Sequence, residues 1–338
     1  MGAQSHESAS TLTPTLFLTD ADVGQLADWR TAFDALRAAY AGSISPAMVP
    51  PRSMARGDGT WLRGLTAVSP SGRHMGSKLI AANMKRRCAS YLVSLFDSET
   101  MALAALIDGN RITGIRTAAT AAVAVDALAE RRPLRVALIG SGFEAKGLLA
   151  ALAAVRTIQS TRVFSPTPAS RERLAAAFRD EHGMKIEAVD SAQSAVAGAD
   201  VVLCAARSRD ESPVLLGQWL EPGMTVVSIG STLPEQREVD EEAIRRAAHI
   251  VADMPEEVAH DTGDMLAATR AGIDFQEKLV PLGDLVAGKL VRKPGEIVIY
   301  KSVGSALQDV VIADMLLSRA RERGLGIEMK STIVPVAK

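Results

Sequence analysis

The sequence predicts an α/β fold built on a doubly wound parallel sheet, and three observations predict it. An apolar run at residues 134–139 ends in Gly140-Ser141-Gly142-Phe143-Glu144-Ala145, a Gly-x-Gly-x-x-Ala turn, and an Ala- and Leu-rich helical stretch follows at 146–155. From there to residue 253, runs of strand length alternate with helical stretches, the pattern of parallel β-α-β units. The chain has 338 residues, 47% of them hydrophobic, enough for two domains with a full core. The Rossmann-type unit sits mid-chain. The segments on either side of it are therefore expected to form one discontinuous α+β domain, with the active site between the two. The boundaries read as 14–120 with 305–338 for the discontinuous domain and 121–304 for the Rossmann domain.

Residues 1–13 are small and polar, with no apolar block for a signal peptide or anchor, and read as a loose tail. Residues 15–18 read as a short strand. Thr19-Asp20 caps a helix whose Val23, Leu26, Phe33, Leu36 and Tyr40 recur at helical spacing, and Gly42 ends it. Pro46, Pro50 and Pro51 mark an extended connection to Arg52. Strands are expected at 61–68, 77–81 and 91–96, with a hairpin partner at 101–107 across Asp97-Ser98-Glu99-Thr100. Asp108-Gly109-Asn110 reads as a further turn. An Ala/Thr-rich helix at 112–129 then carries Arg116 near its start and stops at Arg131-Arg132-Pro133. Within the Rossmann unit, strands are expected at 136–139, 162–165, 186–189, 200–205, 225–229 and 250–253, with helices at 169–182 and 191–197. A strand at 297–300, then Lys301-Ser302-Val303-Gly304, leads to an apolar helix at 306–323 that Gly324 stops.

Composition narrows the function. Lys+Arg 38 against Asp+Glu 39 leaves a net charge of −1, so neither nucleic acid nor an anionic membrane is expected as partner. No apolar stretch is long enough to span a bilayer. Cys88 and Cys204 are too few for a disulfide framework or a zinc site and fit a reducing, cytoplasmic setting; Cys204 lies in an apolar run and reads as core. The five histidines show no metal-ligand spacing, and no metal is expected.

The glycine turn suggests a dinucleotide. Where a strand breaks and restarts as a helix, free backbone N–H groups and the positive end of the helix dipole converge on one spot that suits a pyrophosphate. Gly140 permits the tight turn, Gly142 lets phosphates approach the backbone, and Ala145 lets helix and strand pack closely. An acid at the end of the second strand would favour NAD by binding the ribose 2′-OH. Here the segment is Phe164-Ser165-Pro166-Thr167-Pro168, without an acid. Ser165 and Thr167 can hydrogen-bond a 2′-phosphate, and Arg171 or Arg173 can supply charge. NADP(H) is therefore favoured over NAD(H).

Along nearly its whole length, from about residue 15 to 320, the chain resembles the ornithine cyclodeaminase/mu-crystallin family. The likeness rests on Gly76-Ser77-Lys78-Leu79, Leu95-Phe96-Asp97, Asp108-Gly109-Asn110 and Thr113-Gly114-Ile115-Arg116-Thr117-Ala118-Ala119. It continues through the glycine turn, Ala197-Gly198-Ala199-Asp200-Val201-Val202, Leu220-Glu221-Pro222-Gly223 and Gly230-Ser231-Thr232-Leu233-Pro234. Arg237-Glu238-Val239-Asp240 and Lys301-Ser302-Val303-Gly304 with Asp309 complete it. The resemblance implies a homodimer formed through the discontinuous domain. It also implies an enzyme that uses NAD(H) or NADP(H) on small α-amino or α-imino acids.

The resemblance implies roles for individual residues. Arg52, Lys78 and Arg116 would hold the substrate carboxylate, for which a guanidinium with a nearby ammonium is the physical match. Val303 would touch substrate. Arg116, Thr117, Ile229, Gly230 and Ser302 would meet the cofactor beside the glycine turn. Lys78 lies in an apolar strand, where burial would lower its pKa toward a useful acid/base range. Glu144 departs from the family's usual Gln, and its charge would cost affinity if it faced the phosphates. At Thr232 the cyclodeaminases carry an aspartate that handles the amine. A threonine cannot hold a proton reversibly near neutral pH. The sequence thus favours an NAD(P)H-dependent reductase of α-imino acids, linear or cyclic, with Lys78 as proton donor and Thr232 positioning substrate. Two alternatives stay open: a cyclodeaminase-like lyase using bound NAD, and a non-enzymatic binder of NADPH and a small ligand.

Overall fold

The structure, a computed structural model, describes residues 13–206, 212–329 and 333–336. Apart from Thr13, the expected tail lies outside the described residues. Strand β1 (Leu16–Leu18) leads into helix α1 (Asp20–Leu26), where Thr19 and Asp22 form a reciprocal capping box. The single helix expected to run on to Gly42 is in fact two. The chain breaks at Ala27, and Asp28 caps α2 (Trp29–Ala41) by accepting the Thr31 N–H at 2.7 Å. The apolar stripe continues across the break, so only the cap residue separates the two in the sequence.

A four-residue edge strand, β2 (Ser53–Arg56), was not expected. It is largely exposed and lacks an alternating pattern. It pairs antiparallel with β3 (Thr60–Val68), which pairs with β4 (His74–Asn83), then β5 (Cys88–Asp97) and β6 (Leu103–Asp108). The register sets Leu65 opposite Lys78, Arg63 opposite Ile80, and Ile80 opposite Tyr91. These side chains therefore share one face of the sheet. Asp108 does not sit in a turn. It N-caps α3 (Gly109–Leu128), accepting the Asn110 N–H at 2.9 Å, so the helix starts before the expected residue 112. The boundary drawn between residues 120 and 121 falls inside this one continuous helix.

The second sheet begins at β7 (Leu134–Ile139). The helix after it, α4 (Phe143–Val155), starts at Phe143, directly after Gly142 and ahead of the expected residue 146. Next come β8 (Ile158–Phe164), α5 (Pro168–His182), β9 (Ile186–Ala188), α6 (Ala192–Val196), β10 (Val201–Cys204) and β11 (Thr225–Ser228). They are followed by α7 (Glu241–Arg246), β12 (Ala247–Ala252), α8 (Pro255–Asp261), α9 (Gly263–Arg270), β13 (Leu279–Pro281) and α10 (Leu282–Val286). The chain ends with β14 (Ile297–Lys301), α11 (Ala306–Arg323) and β15 (Ile327–Glu328).

This eight-stranded sheet is parallel throughout, in the order β13-β12-β14-β11-β10-β7-β8-β9. Strands β10, β11 and β14 are buried at every residue, as a sheet covered on both faces requires. Its order turns back at β7, and ligands bind such sheets at the carboxyl ends of the strands beside that switch point. The first sheet has seven strands in the order β15-β1-β6-β5-β4-β3-β2. Helix α11 packs on β3, β4 and β5 and against α2 and α3, so residues at its start lie between the sheets. One apolar core runs through α3, α11 and the facing sides of both sheets, and a second covers the other face of the parallel sheet. Among the described residues no helix is long and apolar enough to cross a membrane.

Candidate active site

A cavity of about 340 Å³ opens between the β3–β5 face and the carboxyl ends of β10, β11 and β14. Ten residues expected at the site line it: Arg52, Lys78, Arg116, Thr117, Glu144, Ile229, Gly230, Thr232, Ser302 and Val303. Gly140, Gly142, Phe143 and Ala145 lie in the turn between β7 and α4, and Ser165 and Thr167 just past β8.

Lys78 is 1% exposed. Its ammonium donates to Thr113 Oγ1 at 2.7 Å and to Asp309 Oδ1 at 2.8 Å. Thr113 spends its own proton on the Gly109 carbonyl at 2.9 Å, which leaves its oxygen free to accept. Two of the three ammonium protons are thus committed and one remains. Burial pushes the Lys78 pKa down and Arg116 adds to this, while Asp309 and Glu144 oppose it. Glu144 therefore stands in the cavity with a charge that acts on Lys78. Asp309 also lies 3.6 Å from Arg116 Nε. Arg116 donates to Gln308 Oε1 at 3.0 Å, and its guanidinium packs so closely on Gly304 that a Cβ there would collide with Nη1.

Arg52 reaches the cavity from the loop before β2. Its guanidinium donates to the Gly304 carbonyl at 2.9 Å and the Val303 carbonyl at 3.4 Å, and pairs with Glu257 of α8. Asp253 braces the same loop from the end of β12. It accepts the Ser302 hydroxyl at 2.5 Å, the Val303 N–H at 3.1 Å and the Gly304 N–H at 2.9 Å. The Ser302 hydroxyl proton is therefore directed at Asp253, which leaves its oxygen lone pairs for a ligand.

Thr232 sits on the loop after β11. Its hydroxyl donates to Gln236 Oε1 at 3.2 Å, and its backbone N–H does so at 3.0 Å. That loop rests on a buried charged cluster. The Glu238 carboxylate accepts the Ser228 hydroxyl at 2.6 Å and the N–H groups of Gly230 at 2.8 Å and Ala206 at 3.0 Å. Burial pushes its pKa up to about 7, against the pull of Lys301. Lys301, itself fully buried, pairs with Asp264 at 2.8 Å. Cys204 is buried in β10, as expected, and its thiol pKa is pushed up by burial and by the Glu238 charge.

The glycine turn fits a dinucleotide. Gly140 has φ +117°, a conformation that disfavours any side chain, and a Cβ there would meet the Ala205 carbonyl oxygen at 2.7 Å. At Gly142, the N-cap of α4, no side chain caps the helix and a Cβ would meet nothing within 4 Å. Open space therefore stands before the uncapped N–H groups of a 13-residue helix. The Phe143 ring lies over Gly114 of α3, so its offering to a phosphate is its backbone N–H. Ala145 Cβ would lie 3.5 Å from a Cβ at Gly140, the close packing the sequence implied. Past β8, the buried Ser165 hydroxyl accepts from Ser141 Oγ at 2.9 Å, whereas Thr167 is exposed. Arg171 donates to the Ser165 carbonyl at 3.0 Å and pairs with Asp190, while Arg173 is exposed on α5.

Sequence reasoning missed Arg63, Tyr91, Glu257 and Gln236, and named Glu238 and Asp309 only as part of the family resemblance, without a role. Arg63 and Tyr91 carry a signal: strand alternation puts them on the Lys78 face once the register is known. Glu257 meets Arg52 from 205 residues away, and nothing local in the sequence announces it.

The chain belongs to the ornithine cyclodeaminase/mu-crystallin family, whose profile matches residues 14–324. It is 28% identical over 291 residues to a Delta(1)-pyrroline-2-carboxylate reductase of Bacillus cereus, covering 85% of each chain. It is 29% identical over 224 residues to the ketimine reductase mu-crystallin of Mus musculus, covering 66% of this chain and 67% of that one. The structure of Thermococcus litoralis Delta(1)-pyrroline-2-carboxylate reductase in complex with NADH and L-proline matches with a TM-score of 0.85 at 25% identity. That match covers 93% of this chain and 100% of the other.

Proposed function

We propose that this protein is an NAD(P)H-dependent reductase that converts small α-imino acids, linear ketimines or cyclic imines such as pyrroline-2-carboxylate, to α-amino acids. The observation that carries the proposal is a buried ammonium with one uncommitted proton, Lys78, in one cavity with Arg52 and Arg116. The named reductases among its relatives support the same reading. When bound, the reduced nicotinamide supplies hydride to the substrate α-carbon. The glycine turn holds the pyrophosphate through backbone N–H groups, and Arg116, Thr117, Ile229, Gly230 and Ser302 flank the rest of the cofactor. Arg116 and Arg52 hold the substrate carboxylate, and Val303 contributes contact beside it. Lys78 keeps the imine nitrogen protonated and is the proton source for the amine. Asp309 and Glu144 keep the Lys78 proton in place against the effect of burial.

Thr232 favours reduction over cyclodeamination. Its hydroxyl is neutral and already donates to Gln236, so it can position substrate but cannot shuttle a proton from an amine. We further propose NADP(H) over NAD(H), supported by the absence of an acid in residues 164–168 and the exposed Thr167. Asp190, paired with Arg171, competes for charge there. A cytoplasmic homodimer that joins through the 14–120 and 305–338 domain completes the proposal. Leu62 and Leu79, exposed on the face of the first sheet away from the cavity, support that contact. NADPH and NADH oxidation with pyrroline-2-carboxylate, piperideine-2-carboxylate and pyruvate plus methylamine tests the function. Ammonia release from ornithine with no imine turnover would favour the lyase instead.

A further inference from the structure

The cavity holds four cations, Lys78, Arg52, Arg63 and Arg116, with the carboxylates Asp309 and Glu144. Asp309 and Glu144 act on Lys78, and Glu257 acts on Arg52 and Arg63. Within this set the cations are not matched alike. Lys78 and Arg116 share Asp309, and Arg52 has Glu257. Arg63 alone of the four has no carboxylate within salt-bridge distance among the described residues; its Nε, like those of Arg52 and Arg116, is buried with no hydrogen-bond partner. Its guanidinium stacks 5.3 Å from the Trp61 ring centroid, which aims the fork without satisfying its donors. Burial and the neighbouring charges of Arg52 and Arg56 lower its pKa, and Glu257 and Asp261 only partly oppose this. Such a site gains from an incoming anion.

The register places Arg63 beside Lys78 on one face of the first sheet. Lys78 faces Leu65 across the β3–β4 pair, so Arg63 is its diagonal neighbour on the same face. Diagonal neighbours lie about 7–8 Å apart at the backbone. A short carbon chain with a carboxylate at each end can reach within the one cavity from Arg116 and Lys78 to Arg63.

We propose that Arg63 is a specificity residue that binds a second, distal carboxylate, so that the substrate class is the imine of a short 2-oxo dicarboxylic acid. This rests on the reductase reading above. Arg116 and Arg52 hold the α-carboxylate, Lys78 faces the imine nitrogen, and the distal carboxylate takes the bidentate fork of Arg63. The Trp61 ring backs the fork and keeps water from its far face.

The test compares imines formed from oxaloacetate or 2-oxoglutarate with those from pyruvate or 2-oxobutyrate, each with methylamine. The wild type is expected to favour the dicarboxylic imine in kcat/KM by about tenfold or more, the worth of one charged hydrogen bond. Arg63→Met should reduce that ratio about ten- to a hundredfold, and Arg63→Lys should keep part of it. A ratio taken within one sample does not depend on how much of the variant is folded. A ratio unchanged in Arg63→Met, or a wild type that prefers monocarboxylic imines, overturns the proposal. Calorimetric binding of L-aspartate against L-alanine, with oxidised cofactor present, should show the same loss in Arg63→Met. If no imine is turned over, the reductase reading falls, and this binding ratio still decides the role of Arg63.

Discussion

Replacing Lys78 with methionine removes an ammonium that is 1% exposed and donates to both Asp309 and Thr113. Methionine has nearly the same length, so packing is retained and the effect is electrostatic. Asp309, itself 1% exposed, is then left with Arg116 Nε at 3.6 Å as its nearest cation. Breaking one side of a buried pair costs about 3–5 kcal/mol. Because Arg116 partly compensates, a loss near the lower end, about 3 kcal/mol, is expected. Adding Asp309→Asn removes the stranded charge, so the double variant should recover about 1–2 kcal/mol of that loss. Activity should not recover, since both variants lack the proton donor. Urea unfolding with linear extrapolation gives the stabilities, and cofactor oxidation with an imine gives turnover. If the double variant is no more stable than Lys78→Met, Asp309 is not stranded in the single variant and the electrostatic explanation fails. If Lys78→Met keeps kcat/KM within about twofold, a margin below ~0.5 kcal/mol, the role given to Lys78 is wrong.

Asp309→Asn alone removes the charge that most strongly opposes the fall in the Lys78 pKa, so the alkaline limb of the kcat/KM profile should move to lower pH. An unmoved limb would mean that Lys78 is not the titrating donor. Glu238 is held at about 7 against an ordinary 4.5, so the folded state resists its ionisation, and this destabilisation is fully present above pH 7. Stability from this group should rise on acidification from about pH 7 to 4.5, by on the order of 3 kcal/mol. Glu238→Gln should lack that rise in the same window, and parallel curves for the two proteins would refute the assignment. Thr167→Asp places an acid where a 2′-phosphate is expected. It should shift the NADPH:NADH kcat/KM ratio toward NADH by about tenfold, ~1.4 kcal/mol. An unchanged ratio would mean that the 2′ end of the cofactor lies elsewhere.

Local signals revealed most of the parallel sheet and both long helices of the first domain. The Gly140-x-Gly142 turn, the apolar runs of β10 and of residues 297–300 in β14, and the Gly324 stop each act within a few residues. The misses have physical causes too. The break at Asp28 and the cap at Asp108 are single side-chain hydrogen bonds inside longer periodic or turn-like text. Strand β2 is exposed, short and without alternation, and β13 and β15 are shorter still, so none leaves a period-2 signature. In the site, residues on ordered motifs such as Lys78 and Arg116 could be named from the chain alone. What they pair with could not. Asp309 lies 231 residues from Lys78, and Glu257 lies 205 from Arg52. Arg63 needed the β3–β4 register before its face was known.

The central claim, hydride transfer to the α-carbon of an imino acid, is tested most directly with cofactor deuterated at the transferable position. Reduction of pyrroline-2-carboxylate, or of the methylamine imines of oxaloacetate and pyruvate, would be followed by mass spectrometry and NMR of the product. The expected product is an α-amino acid carrying one deuterium on its α-carbon, formed one for one with oxidised cofactor. Product without that label, or ammonia released from ornithine with no net change in cofactor, would contradict it.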